Sequence, residues 1–182
     1  ALSMLIMPKG TFFLCDPFVN TAPTAEQLAD YTILAAEEVR RFGITPRIAL
    51  LSHSNFGSSR RDTARKMRKA VEIIRQRDSS LQVDGEMHAD AALDPEAREI
   101  LVSDSVLTGT ANLLVMPSLD AANISYNMVR ILADAHAVGP MLLGMKQAVH
   151  ILQETVSARG IADMTALAVV EAQTESEGNL PL

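Results

Sequence analysis

Residues 42–77, FGITPRIALLSHSNFGSSRRDTARKMRKAVEIIRQR, decide the fold. Gly43 suits the end of a preceding helix. RIALLS at 47–52 is a short apolar run with the character of a buried strand. A polar loop, His53–Ser59, follows. From about Arg60 to Arg77, Met67, Val71 and Ile74 then recur on one helical face. Strand, short loop, amphipathic helix is the unit from which layered α/β domains are built.

The same alternation extends in both directions. Upstream, LSMLIM (2–7) is an apolar run, Pro8-Lys9-Gly10 a turn, and TFFLC (11–15) a strand. Thr24 with Gln27 three residues on predicts a capping box, and Leu28, Ala35, Val39 and Phe42 give that helix its apolar stripe. Downstream, LQVD (81–84) reads as a strand leading into Gly85-Glu86. Asp94-Pro95 starts a short helix to Leu101, and NLLVM (112–116) is a strand closed by Pro117. A helix begins at Asp120 or Asn123 and runs to Ala135. Gly139-Pro140 reads as a turn, and a last helix spans about Ile161 to Glu171. The reading is therefore one domain over residues 1–173, α/β in three layers with a mostly parallel sheet, and a polar tail, 174–182, expected to be disordered.

Composition narrows the function classes. The 182 residues are 48% hydrophobic with no Trp, enough for one full core of aliphatic residues, Ala and Met. A net charge of −6 repels polyanions, so no nucleic-acid partner is expected. No apolar run reaches the roughly 18 residues of a membrane span, so no membrane partner is expected. A single Cys15 fits a reducing cytoplasm. The chain opens on Ala1 and runs directly into a strand, which reads as a fragment of a longer protein.

Chemistry should lie in the loops that follow strands. Ser54, Asn55, Gly57, Ser58, Ser59 and Arg60 combine hydroxyls, a glycine and a cation at a helix start, a pattern that suits an anion. The competing reading is an N-cap from Ser58 or Ser59 beside two solvated arginines, Arg60 and Arg61. Asp84, Glu86, His88 and Asp90 cluster after a strand, but no second His or Cys lies at ligand spacing, so no metal site is expected. His53, His136 and His150 are isolated and read as structural or solvated. Cys15 reads as a buried small hydrophobe.

Three groups of segments, taken together, resemble the phosphate acetyltransferase family. They are NTAPTAEQLAD (20–30) with FGITPRIALLSHSNFGSS (42–59), VDGEMHADAAL (83–93), and TGTANLLVMPSLDAANISYNMVRILADAHAVGPMLLGM (108–145). They follow the family's order over most of the chain and match the later half of its domain. The resemblance implies an isocitrate dehydrogenase-like fold with a cleft between two α/β subdomains, in which Asp84, Glu86 and Asn123 are cleft candidates. SHSNFGSS and LLGMKQAVHIL (142–152) look like the version carried by large hybrid malic enzymes. That form implies a regulatory and oligomerisation domain, with acetyl-CoA or a related acyl-CoA as effector and self-association as a homo-oligomer. NADP and a divalent Mg or Mn ion would belong to a malic-enzyme part outside this chain, and no cofactor is expected in the chain itself.

Departures from the family pattern bear on activity. Active members carry a Ser-Arg pair and, six residues beyond the Arg, an Asp; these positions fall on Gln153, Glu154 and Gly160. The family's Cys after its second strand falls on Pro17. Acetyl transfer to phosphate needs a base for the CoA thiol and a cation for phosphate and the tetrahedral oxyanion. Gly160 supplies no base, and Glu154 puts an anion where a cation belongs. A contact charge pair is worth ~4 kcal/mol at an effective dielectric of 20, so losing it corresponds to about a thousandfold in rate. No catalytic residue is therefore expected. An active transferase would require Arg159, Asp163 or His150 to stand in for the missing groups. A ligand-free assembly module would instead use Met128, Ile131 and Leu132 as a seam.

Overall fold

The computed structural model describes residues 1–154 and 156–178. The elements in chain order are β1 (Leu2–Met7), β2 (Gly10–Cys15), α1 (Ala25–Arg41), β3 (Arg47–Leu51), α2 (Asp62–Arg77), β4 (Gln82–Met87), α3 (Ala89–Leu93) and α4 (Pro95–Leu101). They continue with β5 (Leu113–Val115), α5 (Leu119–Leu132), β6 (His136–Met141) and α6 (Ala158–Gly178). The strands form one sheet in the order β4-β3-β5-β2-β1-β6. Only β1 runs against its neighbours, so the other five are mutually parallel.

Successive strand residues face opposite sides of a sheet, and here the two sides carry separate cores. Ile48 and Leu50 of β3, with Phe13 and Cys15 of β2, pack with α1 and α2. Ala49 and Leu51, with Leu14, pack on the other side against α3 and α5. This is the expected three-layer arrangement.

Local chemistry explains the element ends. Thr24 accepts the Gln27 N–H while the Gln27 side chain accepts the Thr24 N–H, a reciprocal cap worth about 1 kcal/mol. Ser118, rather than Asp120 or Asn123, caps α5 by accepting the Ala121 N–H. α2 starts at Asp62 with Arg61 at its N-cap and no side-chain cap, so neither Ser58 nor Ser59 plays that part.

Three sequence expectations are corrected. Gly139-Pro140 is not a turn but the centre of β6, which pairs with β1 through a register shift between Leu2 and Met4. A Cβ at Gly139 would stand 3.0 Å from the Leu2 carbonyl oxygen, so the close approach requires glycine. β6 is an edge strand, which tolerates a proline without an N–H. The strand read as 81–84 continues to Met87 across a bulge: Leu50 pairs with Gly85 but Leu51 with Met87, leaving Glu86 as the extra residue. The last helix, read as about Ile161 to Glu171, is longer: α6 runs from Ala158 through Gly178, while 179–182 of the tail lie outside the described residues. Among the described residues, no helix is long and apolar enough to cross a membrane.

Candidate functional site

The loop after β3 is organised around a carboxylate of its own. Glu86, fully buried in the β4 bulge, accepts at Oε1 from the Ser54 hydroxyl (2.5 Å), the Gly57 N–H (3.2 Å) and Arg68 Nη1 (2.6 Å). Ser54 Oγ in turn accepts the Ser59 N–H, Ser58 Oγ accepts the Asn55 N–H, and Asn55 Oδ1 accepts the His88 N–H. The donors that suited an external anion are thus largely engaged by an internal one. Arg60 is exposed and lies outside this network. Asp84 is also structural: it accepts from Arg75 Nη2 (2.8 Å), the Ser105 hydroxyl (2.7 Å) and the Val106 N–H.

A second region is open. α5, β6, the segment after β6 and the start of α6 enclose a groove of about 320 Å3. Its polar wall comprises Asn123, Tyr126, Asn127, Arg130, His136, Gln153 and Ser157, and Gly160 lies at its edge. Of the expected site residues, Asn123, Gln153 and Gly160 meet here. Ser54–Arg60, Asp84 and Glu86 do not line it. Glu154 is exposed and also stands outside the lining. Asn123 Nδ2 donates to the Pro17 carbonyl, so it is fixed from the β2 loop. Phe18 and Tyr126 meet edge to face at 5.3 Å between centroids, which seats the groove's apolar end. Arg130 has its Nε buried with no hydrogen-bond partner among the described residues. A buried guanidinium nitrogen without an acceptor is costly, and an anionic ligand in the groove would supply one.

His136 was not among the expected site residues. Its Nε2 lies 2.8 Å from Asp163 Oδ2, and Asp163 is one turn beyond Gly160 on α6. His136 also lines a larger apolar cavity of about 590 Å3 between β1, α1 and α6, where Arg159 and Asp163 lie. Arg159, the suggested substitute for a missing cation, therefore borders that cavity and not the groove holding Gln153 and Gly160. No sequence pattern linked His136 to Asp163, because their proximity depends on α6 packing over β6.

Cys15 is fully buried, and burial pushes its thiol up to about 12, in keeping with a packed hydrophobe. Among the described residues, no group of three or more His, Cys, Asp or Glu side chains is placed to hold a metal ion. On α5, Met128, Ile131 and Leu132 are exposed, Leu132 to 80%.

Comparison with known proteins matches residues 1–169 to the family described as phosphate acetyl/butaryl transferase. The chain is 52% identical over 176 residues to the NADP-dependent malic enzyme of Escherichia coli, covering 96% of this chain and 23% of that protein, in its C-terminal region. It is 51% identical over 171 residues to the NAD-dependent malic enzyme of Rhizobium meliloti, again covering 94% of this chain but only 22% of the relative. A solved phosphotransacetylase from Streptococcus pyogenes superposes with a TM-score of 0.88 at 34% identity, over 97% of this chain and 53% of that one. The chain thus spans under a quarter of the malic enzymes it matches and about half of the transacetylase.

Proposed function

The chain belongs to the phosphate acetyl/butaryl transferase family, and on that premise we propose that it is an acyl-CoA-binding regulatory domain of a malic enzyme, without acetyl-transfer activity of its own. The groove carries this reading. It offers CoA the half-buried Arg130, whose buried Nε has no hydrogen-bond partner among the described residues, and polar walls from Asn123, Asn127 and Ser157. At the positions that the resemblance assigns to the Ser-Arg pair and the Asp of active relatives, the chain carries Gln153 and Gly160 in the groove and Glu154, exposed, outside its lining. Recognition of the nucleotide and pantetheine is thus separable from chemistry on the thioester.

In the longer protein, oxidative decarboxylation of malate would use NADP and a Mg or Mn ion held outside this chain. Nucleotide choice would belong to that other part, a reading supported by similar identity to an NADP-dependent and an NAD-dependent malic enzyme. Acetyl-CoA or a related acyl-CoA would act by binding one state of the domain better than the other, with a coupling of about 1–3 kcal/mol. Self-association would bury the exposed face of α5 around Ile131 and Leu132. The single buried cysteine is compatible with a reducing cytoplasm.

Titration calorimetry with acetyl-CoA and with CoA tests the binding half, and a coupled assay for acetyl phosphate tests the catalytic half. Binding with no phosphate-dependent turnover is expected. Turnover would overturn the reading, and loss of that turnover in His136→Gln would then identify the His136–Asp163 pair as the surviving base. Absence of both heat and thermal stabilisation would favour an assembly module without a ligand.

A further inference from the structure

Between β6 and α6 the chain runs as a strap, 142–157, whose far end supplies Gln153, Val156 and Ser157 to the groove. The strap has no helix or strand among its described residues, and one side chain holds its middle. His150, only 4% exposed at its side chain, uses both ring nitrogens. Nδ1 accepts the Leu142 N–H at 3.3 Å, which closes 142–150 on itself. Nδ1 is therefore the unprotonated nitrogen, and Nε2 carries the proton it donates to Glu171 Oε2 at 2.9 Å on α6. Glu38 of α1 stands beside the pair, bonded through Oε2 to Arg41 while its buried Oε1 has no partner among the described residues.

We infer that His150, held by Glu171, is a positioning residue for the groove: it pins the strap between Leu142 and α6 and so sets the wall that Gln153 and Ser157 present to the ligand. The inference rests on the groove being the acyl-CoA site. Beyond Leu143, which packs against the core near the strap's start, apolar side chains do little to fix it, since Met145, Val149, Ile151 and Leu152 are all exposed. Ordering a strand of chain costs roughly 1–2 kcal/mol per residue, so a wall without a pin would have to be ordered by the ligand at the expense of affinity.

The two nitrogens can be tested separately in the intact chain. His150→Asn keeps an acceptor near Nδ1 but cannot reach Glu171; His150→Gln keeps a donor near Nε2. CoA is the probe in calorimetry, with backbone amide exchange across 142–154 as the second readout. His150→Asn and Glu171→Leu should each weaken CoA about tenfold, the double variant should be no worse than the weaker single, and His150→Gln should recover most of the loss. Unchanged CoA affinity in His150→Asn overturns the inference, even if the melting temperature falls. If the parent chain does not bind CoA, the groove reading fails separately. Amide exchange then decides the pin: acceleration confined to 142–154 upholds it, and unchanged exchange overturns it.

Discussion

The β3 loop and the α5–β6 groove use similar residues to opposite ends. Both gather hydroxyls, amide donors and an arginine after a strand. In the loop, Arg68, Ser54 and the Gly57 N–H converge on Glu86, a buried anion supplied by the chain itself. In the groove, among the described residues, Arg130 keeps a buried Nε without an acceptor, and no carboxylate lines the walls beside it. An arginine therefore marks a ligand site only where the fold withholds its counter-charge. The difference also separates stability from binding, which makes it testable.

The largest expected effect is on the loop. Glu86→Ala removes the shared acceptor and leaves Arg68, Ser54 and the Gly57 N–H without it. Removing one partner of a buried pair typically costs 3–5 kcal/mol. Arg68 is partly solvated, so a loss of about 3 kcal/mol is expected in the urea midpoint. CoA affinity at the native end of the titration should not change. A fall in affinity with little loss of stability would mean that the loop, not the groove, is the anion site.

Next comes Arg130→Met. It keeps the aliphatic stem against the groove but removes the charged donors. A hydrogen bond from a charged group contributes about 1.5–3 kcal/mol, so CoA affinity should fall roughly tenfold to a hundredfold. Stability should stay constant or rise, because a buried unpartnered nitrogen is lost. Affinity equal to that of the parent would erase the contrast between the two regions.

Much of the first region's framework was legible in sequence, and little of the second's. Thr24 with Gln27, Gly43, and the apolar runs at 47–52 and 112–116 act through neighbours a few residues apart, so spacing reveals them. Glu86 defeats that logic. Its role follows from a bulge that shifts register by one residue, and a bulge leaves no periodic trace. β6 was hidden by Gly139-Pro140, a dipeptide that usually ends strands and here occupies an edge. The groove depends on pairs such as His136–Asp163 and His150–Glu171, 27 and 21 residues apart, which only α6 brings together. Family resemblance placed Gln153, Glu154 and Gly160 at the family's catalytic positions. It did not show that a histidine backed by an acid stands one turn away.

The smallest effect, and the one that depends on pH, concerns Glu38, which lies outside both regions and beside the His150–Glu171 pair. Burial pushes its carboxyl above the usual range, with Arg41 opposing the shift and the neighbouring Glu171 adding to it. A folded state that holds a proton more tightly than the unfolded chain is penalised when that proton leaves. Below the ordinary value of 4.5 both states are protonated, and Glu38 is neutral to stability. As pH rises through the folded value the penalty develops, and above it the penalty is complete. Glu38→Gln should therefore raise the melting temperature at pH 7 and leave it unchanged near pH 4. The Arg41 pair offsets little of this, because Arg41 is half exposed. Glu86 accepts three donors on one oxygen, so Glu86→Gln should cost stability across the same range. Parallel pH–stability curves for the two variants would show that the two buried carboxylates are held alike, and the three donors on Glu86 Oε1 would count for no more than the single Arg41 bond to Glu38.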